Sequence, residues 1–160
     1  MFGFLSKTKT HELYGEFKYD ANRWTNQDSS IFGQSQVELI VPGNQLGLSK
    51  KAINTLLEFE TDFEFKKPEL AETLFKEHYL VTKAAIESGV LKTLVVDYPD
   101  IQTEQEIWDH VTVSRVWVDC YAQPGDVEIA ICADWDIEQT LGFTFKANEE
   151  VLFNENVDID

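Results

Sequence analysis

Residues 111–135 read VTVSRVWVDCYAQPGDVEIAICADW and carry the strongest fold signal in the chain. Two apolar runs flank the Gln-Pro-Gly-Asp sequence at 123–126, which is typical of a turn between strands. The stretch therefore predicts a β-hairpin. If the Pro-Gly pair is the centre of the turn, residues equally far from it are partners, and Arg115 falls opposite Asp134 in a favourable cross-strand pair.

Alternation along the predicted hairpin gives it two different faces. One face is apolar and is expected to pack on helices; it carries Val116, Val118, Cys120, Val127, Ile129, Ile131 and Ala133. The other face is aromatic and acidic; it carries Trp117, Asp119, Tyr121, Glu128 and Asp134. Cys120 and Cys132 fall on opposite faces, so a disulfide between them is disfavoured.

Further strands are predicted on both sides of the hairpin. A third strand at 141–146 follows it, and the segment from 148 onward is expected to form an edge strand and a frayed tail. Nearer the N-terminus, residues 11–20 alternate as a half-buried strand does, and 36–41 form a second strand that stops at Pro-Gly. The polar segment 22–33 between them is interpreted as a loop.

The middle of the chain has helical patterns. Ser49 is a suitable N-cap for a first helix, and the following residues 57–65 fit either helical or strand spacing, with helix favoured. Pro68 is suited to the first position of a second helix, whose wide apolar stripe ends at Gly89. A short helix is also predicted at 104–110.

These elements together predict an α+β fold. An antiparallel sheet, built from an N-terminal hairpin and a C-terminal meander, is expected to carry two central helices packed on one face. The length of 160 residues fits a single domain spanning 1–160, with a flexible N-terminal arm at 1–10 and an acidic C-terminal tail at 154–160.

The net charge restricts the kind of partner. The chain has 13 Lys and Arg against 29 Asp and Glu, a formal charge of −16, which disfavours nucleic acid and anionic membranes and favours a basic protein. No apolar run is long enough for a membrane span, and the N-terminus does not have the order of a secretory signal. With only two cysteines, the expected compartment is the reducing cytoplasm.

A candidate partner-binding surface follows from the acidic, aromatic face of the hairpin. Aromatic anchors among carboxylates suit a partner that carries Lys and Arg. The residues of this surface are Trp117, Asp119, Tyr121, Glu128, Asp134 and Trp135. The alternative is that another element covers the face and that the aromatic side chains belong to the core.

A cation site is a second hypothesis. Asp134, Asp136 and Glu138 stand at alternate positions, where their carboxylates are possible ligands for calcium. The helix-loop-helix calcium pattern fails, because its required Gly and Glu positions hold Gln139 and Phe145. The alternative is that these acids cap a tight turn. A hydrolase-like enzyme using the same carboxylates is a third hypothesis.

Residues 132–143, CADWDIEQTLGF, resemble a W-D-x-E-H-x-L-G signature that closes a group of uncharacterised bacterial domains of unknown function. The likeness extends over about residues 11–155, and the signature positions are Trp135, Asp136, Glu138, Gln139, Leu141 and Gly142. Gln139 stands where the signature usually has His. Members of such groups sometimes lie near toxin genes, so the resemblance implies an immunity-type role: inhibition of a basic toxin.

Overall fold

A mostly antiparallel sheet and one long helix make up residues 7–157, the part of the chain that this computed structural model describes. In this part the sheet has nine strands in the order β1-β2-β3-β4-β6-β7-β8-β9, with the short β5 paired to β4. The strands are β1 Thr8–His11, β2 Gly15–Asp20, β3 Arg23–Ile31, β4 Gln34–Asn44, β5 Gly47–Leu48, β6 Val111–Val118, β7 Val127–Ala133, β8 Asp136–Phe145 and β9 Val151–Asn154. The predicted α+β class is confirmed.

The sheet consists of two antiparallel halves joined by a parallel pair. Strands β1 to β4 form the N-terminal half and β6 to β9 the C-terminal meander. At the junction β4 and β6 run parallel, with Leu39 paired to Val116. A parallel pair needs a long crossover connection, and the helix lies in this connection.

The helical element has two α-helical segments, α1 Lys50–Thr73 and α2 Leu80–Glu87, joined without a break by the π-helical segment Leu74–Tyr79. The Oγ atom of Ser49 accepts a hydrogen bond from the backbone N–H of Ala52, as expected for an N-cap.

Residues 57–65 are helical, as favoured, and the helix ends before Gly89, whose φ is +75°. The junction lies later than predicted, because Pro68 is inside α1. Pro68 and Glu64 are both exposed, so the carbonyl that loses its helical donor can bind water. A 3₁₀ helix, Glu104–Asp109, forms at the predicted short helix.

The core lies between the helix and one face of the sheet. Phe59 of α1 packs edge-on against Phe145 of β8, with ring centroids 4.8 Å apart. The apolar face of the β6–β7 hairpin is buried, as predicted; its members are Val116, Val118, Cys120, Val127, Ile129, Ile131 and Ala133. In the part of the chain that is described, no helix is long and apolar enough to cross a membrane.

The predicted loop at 22–33 is wrong, because most of it forms β3. Its buried polar side chains have hydrogen-bond partners: Asn26 Nδ2 and Ser29 Oγ donate to the backbone carbonyl of Tyr14, at 2.5 and 2.9 Å. The single strand predicted at 11–20 is interrupted by a turn at 12–14, which separates β1 from β2. Strand β4 continues past the predicted stop to Asn44.

The hairpin is present, but its register differs from the prediction. Trp117 pairs with Glu128, and the connecting loop spans 119–126 rather than a tight turn. Arg115 therefore pairs with Ala130, and its predicted pairing with Asp134 is wrong. The offset from the predicted partners is even along this stretch, so the side chains keep their predicted faces.

The ends of the C-terminal meander also differ from expectation. Strand β8 begins at Asp136, earlier than predicted, whereas the edge strand β9 is confirmed. Val157 is buried and its N–H donates to the carbonyl of Thr140 at 2.9 Å, so the chain after β9 is anchored at Val157. The remaining tail residues, 158–160, and residues 1–6 of the predicted arm lie outside the described part of the chain.

Both described cysteines are free thiols. Cys120 is buried in a 3₁₀ turn, Cys120–Ala122, within the hairpin loop, and Cys132 is exposed near the other end of β7. Burial raises the pKa of the Cys120 thiol to about 12. The Cys120 thiol therefore stays protonated and behaves as a small apolar side chain.

Candidate functional site

Trp117 and Tyr121 form an aromatic pair on the face of the sheet opposite the helix. Trp117 points away from the core, because its neighbours Val116 and Val118 are buried there. The two ring centroids are 4.9 Å apart with an interplanar angle of 52°. Tyr121 is 57% exposed and Trp117 is half-buried, so the pair presents aromatic surface to solvent.

A buried ion pair supports the aromatic rings from below. Arg115 Nη2 lies 3.0 Å from Glu128 Oε1, and Glu128 is 0% exposed. The guanidinium carbon of Arg115 lies 5.9 Å from the ring centroid of Trp117, a cation–π distance. The Tyr121 hydroxyl donates to Glu128 Oε2 at 2.6 Å. Each aromatic ring is thus fixed to one member of the ion pair.

The hydrogen bond to Glu128 also affects the ionisation of Tyr121. Burial of the phenol is the larger cause, and its hydrogen bond to the Glu128 carboxylate is the second, of a rise in the pKa of Tyr121 to about 12. The phenol therefore stays protonated at neutral pH. It remains a donor to the carboxylate, which keeps the ring in place.

The loop that presents Tyr121 has an unusual backbone. Asp119, Tyr121 and Ala122 have φ values of +52°, +55° and +57°, in the left-handed region that non-glycine residues rarely adopt. Asp119 Oδ1 accepts a hydrogen bond from the N–H of Gly125 at 2.7 Å, which closes the loop. Such strain persists only where the surroundings impose it, and it is concentrated at functional sites.

The structure brings together four of the six residues of the predicted partner-binding surface: Trp117, Asp119, Tyr121 and Glu128. Glu128 lies beneath the surface rather than on it, because it is buried against Arg115. Asp134 is exposed at the far end of the hairpin, and Trp135 is buried in the core. The structure therefore has a small aromatic site above a buried ion pair, in place of the expected continuous acidic surface.

Trp135 has a different environment from the one predicted. Its indole N–H donates to Nδ1 of His78 at 2.9 Å, and Nε2 of His78 lies 3.4 Å from Asp136 Oδ2. Since Nδ1 accepts from the indole, the proton of neutral His78 is on Nε2, toward the carboxylate. Trp135 and Asp136 thus connect the turn after β7 to the π-helical segment.

The other signature residues have clear packing contacts. Asp136 Oδ1 accepts from the N–H groups of Glu138 and Gln139, at 3.1 and 3.2 Å. Leu141 is buried, and a Cβ atom on Gly142 would lie 2.5 Å from Val157 Cγ2 and 2.6 Å from the Ile129 carbonyl oxygen. The glycine is therefore required by close packing at this position.

Residues 13–158 match the family DUF6985, a domain of unknown function. The chain belongs to this family. Comparison with curated proteins and with solved structures gave no match. The DUF6985 match covers the aromatic pair, the ion pair and the signature residues alike.

The carboxylates proposed as cation ligands point to different partners in this DUF6985 domain. Asp136 faces His78, and Asp134 Oδ2 lies 3.4 Å from Nδ1 of His110, whereas Glu138 is exposed. Among residues 7–157 no group of three or more His, Cys, Asp or Glu is arranged to hold a metal ion. The three carboxylates that alternate along the sequence therefore do not meet at one point in space.

Sequence reasoning missed Arg115 as part of the site. The predicted four-residue turn assigned Arg115 to Asp134, and the left-handed residues of the DUF6985 domain that lengthen the loop are not glycines. The available signal was parity, because Arg115, Trp117 and Glu128 alternate onto the same face for any even change of register. Arg115 is the one Lys or Arg in the sequence 111–135, so this parity allows Glu128 as its partner.

Proposed function

We propose that this DUF6985 domain is a non-catalytic protein-binding module. The observation that carries the proposal is the Trp117–Tyr121 pair, exposed to solvent and fixed in place by the buried Arg115–Glu128 ion pair. Trp, Tyr and Arg are the residue types that contribute most binding energy in protein interfaces. Rings that are already fixed lose little conformational entropy on binding.

The charge of the chain supports a basic partner. A formal charge of −16 attracts a positively charged protein over long range and speeds its association. An immunity-type inhibitor is one protein of this kind, and a toxin with a basic nucleic acid-binding groove is a suitable target. Such an inhibitor acts in the cytoplasm, where the free thiols of Cys120 and Cys132 stay reduced.

The test is affinity capture with three immobilised proteins: the native chain, W117A/Y121A and L46A. Leu46 is exposed in the turn between β4 and β5, so L46A is a control for loss of an exposed apolar side chain. We expect the native chain and L46A to retain one basic protein from host lysate in near-stoichiometric yield. Retention by W117A/Y121A should fall about thirtyfold, the loss expected from a hot spot.

Two controls keep the result interpretable. Circular dichroism melting of each variant shows whether it is folded, and Y121A alone is a milder change if W117A/Y121A is not. A toxin target should also lose its activity when the native chain is added in equimolar amount. Equal retention by all three proteins would show that the aromatic pair is not the binding site.

A further inference from the structure

Large apolar side chains are exposed around the end of the helix and the segment that follows it. Helix α2 has no buried residue, and the irregular segment after it exposes Leu94 at 68% and Val96 at 94%. Ile137, at the start of β8, is 64% exposed. We name the exposed residues Leu91, Leu94 and Ile137, which line one cavity together, the apolar patch.

An acidic cleft adjoins the apolar patch. The cleft has a volume of about 960 Å³ and four carboxylate residues in its walls, Asp97, Asp134, Asp136 and Glu138. Neither Lys nor Arg is among its described lining residues. A smaller cavity between α2 and β8 is lined by Lys92 as well as by Leu91, Leu94 and Ile137, and it shares Val95 and residues 136–139 with the cleft. The two surfaces are therefore continuous.

The cleft wall also includes a polar atom without a partner. The hydroxyl oxygen of Tyr98 is buried and has no hydrogen-bond partner among the residues the structure describes. The Tyr98 ring is stacked on Tyr79, with centroids 6.0 Å apart, so the phenol is held at this position. A buried polar group without a partner carries an energetic cost that a ligand can relieve.

We propose that the apolar patch and the acidic cleft together bind a segment of a protein partner that carries apolar side chains beside Lys or Arg. Exposed apolar side chains grouped in this way are typical of an interaction site, and the exposed carboxylates of Asp97, Asp134 and Glu138 match the cationic side chains. A second copy of this chain does not fit, because each copy has a formal charge of −16.

This inference does not depend on the Trp117–Tyr121 pair. The pair lies at the loop end of the β6–β7 hairpin, whereas the cleft is lined by Thr112 and Cys132 near the other end. Five residues of extended strand separate Trp117 from Thr112, a distance of roughly 17 Å. Loss of binding at one surface can therefore be measured separately from loss at the other.

The test is an amide NMR titration of the full chain with a short peptide of alternating leucine and arginine, and with the same peptide carrying glutamine for arginine. We expect saturable shifts at residues 91–97 and 134–139 with the arginine peptide and weaker binding of the glutamine peptide. The variant D97N/E138Q should raise the Kd about fivefold. The control E12Q/D28N removes the same charge from exposed residues elsewhere and should leave the Kd unchanged.

A second pair of variants tests the apolar patch. L94S should weaken binding of the arginine peptide, whereas L46S, at a still more exposed leucine in the turn between β4 and β5, should not. Equal affinity for both peptides, or shifts confined to the neighbourhood of Trp117, would overturn the proposal. Concentration-dependent self-association that L94S abolishes, measured by light scattering, would also overturn it in favour of a second copy.

Discussion

The indole N–H of Trp135 donates a 2.9 Å hydrogen bond to Nδ1 of His78, and both side chains are buried. The two residues are 57 positions apart in the chain, so this bond fastens the turn before β8 to the π-helical segment. Replacing either partner alone leaves the other polar atom buried without its partner.

Trp135→Phe should therefore destabilise the fold. The substitution keeps an aromatic ring but removes the donor to His78, and we expect the free energy of unfolding in urea to fall by about 1–3 kcal/mol. The double variant H78L/W135F should be less destabilised than the sum of the single variants, because neither polar atom is then left alone. Additive losses would show that the two side chains are not coupled.

Tyr121→Phe should loosen the aromatic pair without unfolding the chain. It removes the hydroxyl that donates to Glu128 at 2.6 Å while keeping the ring, and the expected loss of stability is about 1 kcal/mol. The measurement is urea unfolding. Tyr19→Phe removes a hydroxyl bonded to exposed Asn22 and is the matched control, with a smaller expected loss.

Removing Arg115 should cost more than removing Tyr121's hydroxyl. In R115M the carboxylate of Glu128 stays buried without its guanidinium partner, and the expected loss is about 3–5 kcal/mol. The double variant R115M/E128L should recover much of this loss, since it buries no charge. If the double variant is as unstable as R115M, packing rather than charge determines the effect.

Stability should fall in alkaline solution. Burial raises the pKa of both Tyr98 and Tyr121 to about 12, and the hydrogen bond to Glu128 is a second, smaller cause for Tyr121. An unfolded tyrosine titrates near a pH of about 10. Above pH 10 the unfolded chain binds fewer protons than the folded chain, so the free energy of unfolding declines with pH. The contribution of these groups is complete below pH 10 and is lost as the pH rises through about 12.

The measurement is urea unfolding at a series of pH values between about 9 and 12. The variant Y98F/Y121F should have a shallower decline over this range, because two of the titrating groups are absent. Cys120, whose pKa burial also raises to about 12, remains in the variant and keeps part of the slope. An identical decline in native chain and variant would contradict the assignment.

Gly142→Ala should destabilise the meander. The new Cβ would lie 2.6 Å from the Ile129 carbonyl oxygen and 2.5 Å from Val157 Cγ2, so the backbone must shift. We expect a loss of about 1–3 kcal/mol, measured by thermal or urea unfolding. Gly47→Ala is the control, because a Cβ there would meet nothing within 4 Å. Equal stability of the two variants would show that the close packing is relieved without cost.

The faces of the β6–β7 hairpin were predictable, and its register was not. Alternation from Val116 to Val118 and from Val127 to Ala133 decides which side chains face the core, and an even shift leaves that pattern unchanged. The length of the loop depends on left-handed residues at Asp119 and Tyr121. Neither residue is a glycine, so the sequence contains no clear signal for that backbone.

Long-range contacts explain the other differences. Strand β3 has a polar sequence that resembles a loop. Its buried Asn26 and Ser29 side chains donate hydrogen bonds to the carbonyl of Tyr14, and local sequence patterns do not reveal this contact. Trp135 is predicted on a surface from alternation alone. Its buried hydrogen-bond partner, His78, lies 57 positions away in the helix, so the sequence near Trp135 does not indicate its burial. The aromatic and acidic composition of the site was predictable, but its arrangement depends on such tertiary contacts.

The parallel pairing of β4 with β6 has a consequence for how the chain folds. The β1–β4 half and the β6–β9 meander contain antiparallel neighbours close in sequence, which form on the microsecond timescale of hairpins. Pairing Leu39 with Val116 closes a loop that contains the entire crossover from residue 45 to 110. Contacts so distant in sequence slow folding. We therefore expect the pairing of β4 with β6, rather than the formation of either antiparallel half, to be the rate-limiting step of folding.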